Sequence, residues 1–76
     1  MNNARRKKIT TAIQHLNTAS DILDSVKDEE SDAMDNVPES LQESERYSAM
    51  EDAVDTLDSA IEDLSSVVDA LSELIN

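Results

Sequence analysis

The sequence lacks several residue types, and each absence excludes a class of protein. Its 76 residues contain no Gly, Cys, Trp or Phe, and only one Pro and one Tyr. Without Cys there is no disulfide scaffold, thiolate metal site or Cys nucleophile. Without Gly there is no Gly-rich phosphate loop or dinucleotide-binding fingerprint. No apolar run approaches the length of a membrane span or a secretory signal, so we expect neither.

Positive charge is scarce and confined to one part of the chain. Six Lys and Arg face 18 Asp and Glu, for a net charge of −12. Residues 1–27 hold five bases and two acids, residues 28–46 hold eight acids and one base, and residues 47–76 hold eight acids and no base. Because duplex affinity depends on Lys and Arg, we expect no direct nucleic-acid binding. At this length the chain forms one small domain, residues 1–76.

The carboxyl-terminal half has the periodicity of a long helix. Apolar residues recur at alternating spacings of three and four: Met50, Ala53, Leu57, Ala60, Leu64, Val67, Leu71 and Leu74. A third column repeats every seven residues: Tyr47, Val54, Ile61, Val68 and Ile75. This pattern predicts a helix over about residues 39–75 that supercoils with a left-handed twist.

The amino-terminal half repeats the pattern, which predicts a first helix at about residues 3–33. Its columns are Ile9, Leu16 and Leu23, then Ala12, Ala19 and Val26, widened by Ile13 and Ile22. The only Pro, Pro38, lies in an acidic segment, which predicts a turn at about residues 34–38. Asn36, or Ser40 followed by Glu43, is a plausible start signal for the second helix. The predicted fold is all-α, an antiparallel two-helix hairpin resembling a coiled coil.

A register follows if the chain reverses at Asn36 and Val37. Residues whose numbers sum to 73 then face each other, and six such pairs are apolar on both sides. They are Ile9/Leu64, Ala12/Ile61, Leu16/Leu57, Ala19/Val54, Leu23/Met50 and Val26/Tyr47. The same register brings Arg5 and Arg6 near Asp69, at the negative end of the second helix dipole.

Two helices cannot bury a stripe three columns wide on each other. The residues left over are Ile13, Ile22, Ala53, Ala60, Val67 and Leu74. We therefore expect a homodimer that forms a four-helix bundle, or docking of this face on another protein.

The second helix also carries acids at a spacing that does not favour helix formation. Like charges three or four residues apart destabilise a helix by about 0.2–0.5 kcal/mol per pair, and no Lys or Arg offsets them here. Six acids are the candidate contacts to a partner: Glu51, Asp55, Asp58, Glu62, Asp63 and Asp69.

Three interpretations of this acidic surface remain open. It keeps a sticky helix pair soluble, it mimics the charge of nucleic acid, or it attracts divalent cations. For the third, the run from Asp28 to Asp35 lacks the Gly-containing spacing of an EF-hand, so loose counterion condensation is favoured over a metal site.

The residue pattern does not support catalysis. His15 is the only His, with no Cys or second His to join it in a triad or metal site. A two-helix rod offers no enclosed pocket to shift carboxyl pKa values, so we expect no enzymatic activity and no cofactor. Tyr47 is interpreted as a core residue opposite Val26, and the bases from Arg5 to Lys8 as partners of acids within the hairpin.

One segment resembles known sequences. AMDNVPESLQESER, Ala33 to Arg46, preceded by NARRKKI and followed by an acidic heptad helix, resembles small acidic helical proteins of phages and mobile elements of Gram-positive bacteria. That group has no agreed activity, so no functional residue is carried over. The resemblance implies a bacterial cytoplasm and an inhibitor of a host nucleic-acid-processing complex. It also implies a role for Pro38–Arg46 beyond reversing the chain.

Two functional hypotheses follow from these observations. In the first, the chain is a non-enzymatic inhibitor that presents its acidic helix face to the basic groove of a protein. In the second, it is a structural or adaptor module whose hydrophobic stripe is the functional surface.

Overall fold

The chain forms two long helices that pack against each other as an antiparallel hairpin. The computed structural model describes all residues, 1–76. Helix α1 spans Asn3–Asp35 and helix α2 spans Glu45–Ile75, with a single 3-10 turn at Glu39–Leu41 between them. There is no strand. The all-α hairpin expected from the two apolar stripes is confirmed.

Each long helix begins at a side-chain cap. The Asn2 side chain accepts a hydrogen bond from the Arg5 backbone N–H at 2.8 Å. The Ser44 hydroxyl accepts one from the Tyr47 backbone N–H at 3.2 Å. These bonds satisfy amide groups that have no partner within the first helical turn.

The connection between the helices is longer than the sequence suggested. Asn36 is not a helix start but the carboxyl-terminal cap of α1, and its N–H bonds the carbonyl of Asp32. Ser40 lies in the 3-10 turn without capping α2. Helix α2 therefore starts at Glu45 rather than near residue 39. Pro38 accounts for the end of α1, because the residue before a Pro avoids helical geometry.

The seam between the helices uses the predicted columns on α2 but is one column away from the predicted one on α1. On α1 the half-buried residues at seam spacing are Ile9, Ile13, Leu16, Ser20, Leu23, Lys27, Glu30 and Met34. On α2 they include Tyr47, Met50, Val54, Leu57, Ile61, Leu64, Val68, Leu71 and Ile75. In α2 the column of Tyr47, Val54 and Ile61 faces α1 as the predicted pairs required, and Val67 and Leu74 of the leftover column are exposed. In α1 Ile13, Ser20 and Lys27 take the place of the predicted Ala12, Ala19 and Val26.

The predicted register is wrong. Lys27 Nζ donates a hydrogen bond to Asp58 Oδ1 at 3.2 Å. The numbers of these two facing residues add up to 85, whereas the predicted register required 73. A sum of 73 would place Lys27 opposite Arg46, about 18 Å along α2 from Asp58. Leu16 accordingly does not face Leu57. The difference arises because the connection from Asn36 to Ser44 adds residues that the two-residue reversal omitted.

The molecule is a rod measuring 59 × 15 × 14 Å. No residue is fully buried, since each helix contacts only one neighbour. The accessible surface is 5682 Å², against about 4,600 Å² for a compact protein of this mass. The hairpin thus has a seam rather than an enclosed core.

Candidate functional site

One lysine defines which residues share a side of the hairpin. Lys27 lies in the seam, its side chain 25% exposed, and its ammonium group reaches Asp58 on α2 at 3.2 Å and Asp24 on α1 at 3.8 Å. Asp24 follows the seam residue Leu23, and Asp58 follows the seam residue Leu57. Residues that follow the seam leucines therefore lie on the same side in both helices.

This side of the hairpin is acidic along both helices. On α1 the ridge at spacings of three and four that contains Asp24 also contains Asp21, Asp28 and Asp35. On α2 the corresponding ridge contains Asp58 and four more acids. We call the set the acidic side: Asp21, Asp24, Asp28, Asp35, Glu51, Asp55, Asp58, Glu62 and Asp69, all exposed.

The acidic side includes five of the six predicted partner contacts. Asp58 is one of them, but its carboxylate is already paired with Lys27. The sixth, Asp63, lies off the ridge and shares a shallow depression with Ala60. Sequence reasoning had assigned the surface to the second helix alone and missed the α1 acids. The spacing of Asp21, Asp24 and Asp28 was the available signal.

Pairing the two ridges raises the density of negative charge. Eight of the nine acids lie alongside the α1 segment 21–35, about 21 Å of helix at 1.5 Å per residue. That is one carboxylate per about 2.6 Å, compared with one phosphate per ~1.7 Å along duplex DNA with both strands counted. Within this stretch Lys27 is the single base.

Lys27 itself responds to the surrounding acids. Its pKa lies above the ordinary value of 10.5, chiefly because of its hydrogen bond to Asp58 and the charge of that carboxylate, with smaller contributions from Asp24 and Asp28. The lysine therefore stays charged and holds the two helices together on this side.

The opposite side of the hairpin is apolar. It is formed by the residues that precede the seam positions, and both Ala33 of α1 and Arg46 of α2 line one cleft there. We call it the apolar side after its apolar members: Ala12, Ala19, Ile22, Val26, Ala33, Ala49, Ala53, Ala60, Val67, Ala70 and Leu74. The same positions also include Lys8, His15, Glu29, Arg46, Thr56 and Asp63. Four large side chains on it are exposed by 41–58%: Val26, Val67, Leu74 and Ile22.

The predicted self-association residues fall mostly on this side. Ile22, Val67 and Leu74 are exposed there, and Ala53 and Ala60 are half-buried at its edge. Ile13 is the exception, because it lies half-buried in the seam between the two helices.

A cleft of about 430 Å³ lies at the turn end of the apolar side. Tyr47 and Met50 of α2 and Ala33 of α1 contribute its helical walls, and the turn contributes Val37, Pro38 and Leu41. Tyr47 is half-buried as expected, but it lies near Ala33 instead of opposite Val26. The cleft holds no carboxylate, His or Lys.

The amino-terminal bases do not have the predicted partners. The ion pairs of the chain are both formed by Lys27, so Arg5 and Arg6 do not pair with Asp69. The register explains this, since Arg5 and Arg6 lie on the part of α1 that extends past the end of α2 at Ile75. His15 is exposed, and no group of three or more acidic or His side chains is arranged to hold a metal ion.

No family model, no curated protein and no solved structure matches the chain. Neither long helix has a stretch apolar enough to span a bilayer.

Proposed function

We propose that the chain is a non-enzymatic interaction protein whose acidic side occupies the basic groove of a partner that normally binds nucleic acid. The resemblance of residues 33–46 to small phage and mobile-element proteins suggests the setting, an inhibitor acting in a bacterial cytoplasm. The observation that carries the proposal is the double row of exposed carboxylates on two parallel ridges.

The charge spacing supports this proposal over a general solubilising role. A solubilising coat needs net charge but no particular distribution. Here nine of the 18 acids lie on one long side of the rod, and the opposite long side carries two, Glu29 and Asp63. The stretch of about 21 Å that holds eight of these acids corresponds to about six base pairs at 3.4 Å each.

Stability does not account for the same surface. Glu51, Asp55, Asp58 and Glu62 are successive neighbours at spacings of four, three and four, and each like-charge pair costs about 0.2–0.5 kcal/mol on a helix. Only Asp58 is compensated, by Lys27. A surface that weakens its own helix is what a binding role would require.

The test neutralises the acidic side without touching the Lys27 pairs. The variant combines Glu51→Gln, Asp55→Asn, Glu62→Gln and Asp69→Asn. The matched control combines Asp32→Asn, Asp52→Asn, Glu43→Gln and Glu73→Gln, which changes net charge equally at other surfaces. Each protein is immobilised and exposed to bacterial lysate, and the retained proteins are identified by mass spectrometry.

The proposal requires a protein that wild type and control retain and the acidic-side variant loses. Raised salt must release that protein, because exposed charge pairs are screened over about 10 Å at 0.1 M. In a gel-shift assay the wild-type chain must also displace the protein's own nucleic acid. Equal retention by all three chains, or no displacement, would reject mimicry.

The second candidate function is a structural or adaptor module acting through the apolar side. The exposed Val67 and Leu74 favour it, since large apolar side chains in one patch mark interaction surfaces. Val67→Asp or Leu74→Asp would then abolish partner retention, and neutralising the acidic side would not. Its complexes would hold or tighten as salt rises.

A further inference from the structure

We propose that a second copy of this chain covers the apolar side, with the two hairpins packed face to face and antiparallel. In this arrangement the turn end of each hairpin lies against the open end of the other. Each α1 packs along its partner's α1, and each α2 along its partner's α2. The interface is isologous, so every contact occurs twice about one two-fold axis.

The exposed area argues for a partner of this size and shape. Two separate hairpins expose about 11,400 Å², twice the measured surface. A compact protein of the doubled mass would expose about 7,700 Å². The difference between these two areas, about 3,700 Å², is the most that dimerisation can bury, and it lies within the range of obligate homodimers. A second hairpin offers a flat apolar side of the same length, and the absence of any buried residue disappears when the sides meet.

The distribution of charge along the hairpin favours the antiparallel orientation of the two copies. The open end carries Arg5, Arg6, Lys7 and Lys8 against Asp69 and Glu73, a side-chain charge of +2. The turn end, residues 28–52, carries ten acids and Arg46, a charge of −9. A parallel dimer would bring the two −9 ends together. The antiparallel dimer places each basic end of α1 beside the partner's acidic end of α1, and unlike ends attract.

The shape of the apolar side also favours the antiparallel orientation. The cleft lies at the turn end of the hairpin. Leu74, 52% exposed, lies on the apolar side at the open end. Antiparallel packing brings each Leu74 to the partner's cleft beside Tyr47 and Met50. Near mid-length Ala19 and Ala60 are small enough for the two hairpins to approach closely.

This inference does not rest on the proposed function. It concerns the apolar side only, and it leaves both acidic sides facing outward from the dimer. Loss of partner binding by the acidic-side variant and loss of self-association are therefore separate outcomes.

The first test measures self-association of the full chain by sedimentation from about 5 to 200 µM. We expect a dimer whose melting temperature rises with concentration, because only the folded state associates. Val67→Asp should raise the dissociation constant at least tenfold. Ser66→Asp, its matched control, adds the same charge one residue away on the solvent face and should leave the dimer intact.

Every outcome of this test decides the proposal. If Val67→Asp unfolds where Ser66→Asp folds, a concentration-dependent melting temperature of the wild type still supports it. A wild-type monomer at 200 µM, or equal association of the two variants, overturns it.

The second test measures orientation and does not alter the interface. Because the chain has no Cys, Asn76→Cys provides a single site for a spin label at the open end. In an antiparallel dimer the two labels lie at opposite ends of the bundle, about 50 Å apart, the length of α1. Double electron–electron resonance showing the labels within about 20 Å would mean a parallel dimer and would refute the proposed packing.

Discussion

At the scale of single residues, Lys27 makes the only ion pairs of the chain. It occupies a seam position among mostly aliphatic side chains, and it crosses from α1 to Asp58 on α2. Sequence reasoning grouped it with the amino-terminal bases and gave it no role. Its placement depended on the register, and the register depended on the length of the connection, which apolar spacing does not specify.

Lys27 should make the stability of the hairpin sensitive to alkaline pH. Because its pKa in the folded chain is raised above 10.5, its stabilisation is complete below that value and is lost as pH rises through the raised pKa. Thermal unfolding followed by circular dichroism from pH 8 to about 12 should show this loss in wild type. Lys27→Met should remove it.

Lys8→Met is the control for general loss of positive charge. Lys8 is exposed and forms no ion pair, so this variant should keep the alkaline loss that wild type shows. If Lys27→Met and Lys8→Met respond to pH alike, the bond between Lys27 and Asp58 does not contribute measurably in solution.

The acidic side also has a residue-scale consequence that is independent of any partner. Asp55 lies four residues after Glu51, three after Asp52 and three before Asp58, so Asp55→Asn relieves three like-charge contacts. We expect the free energy of unfolding to rise by roughly 0.6–1.5 kcal/mol. Asp63→Asn, which has no acid three or four residues away on α2, provides the comparison. A chemical denaturation series that shows Asp55→Asn to be destabilising would contradict this account of the surface.

At the scale of elements, the helices were predictable and their junction was not. Seven-residue columns of Leu, Ile and Val identify each helix because apolar periodicity determines which face is buried. On α1 they do not identify which columns meet α2, since Ala12 and Ala19 in a flanking column look like seam residues. The bounds of the turn were predicted wrongly for a local reason. Asn36, Ser40 and Ser44 can each cap a helix, and the sequence does not show which of them begins α2.

The capping assignment can be tested directly. Ser44→Ala should lower the free energy of unfolding by about 1 kcal/mol, because it leaves the Tyr47 amide without its acceptor. Ser40→Ala should be nearly neutral, since the Ser40 side chain caps neither helix. Urea unfolding of the two variants measures the difference. A larger effect for Ser40→Ala would move the start of α2 back to the predicted position.

At the scale of the whole molecule, the hairpin has two unlike long sides joined by a half-buried seam. The sequence predicted an acidic surface on α2 and a surplus apolar stripe with members in both helices, but it could not show that the two surfaces lie on opposite sides. That relation requires the antiparallel pairing, which puts the residues after the seam leucines of both helices on one side. Opposed sides allow self-association and binding of a basic partner at the same time.

Added salt should stabilise this fold. The chain carries a net charge of −12, and crowding the acids on one side raises the repulsion that screening relieves. The melting temperature at fixed protein concentration should increase from about 10 mM to 500 mM NaCl. The acidic-side variant with four neutral substitutions should show a smaller increase. A fall with salt would mean that the Lys27 pairs outweigh repulsion.

The placement of both chain ends at one end of the rod has a mechanical consequence. If the chain is pulled by its amino and carboxyl termini, the force does not shear the two helices past each other. The force separates the two helices one turn at a time, from the open end toward Pro38. Only a few side-chain contacts in the seam therefore bear the load at any moment. A single hairpin should therefore part under small forces, and a partner lying across the opening helices would have to be peeled away with them.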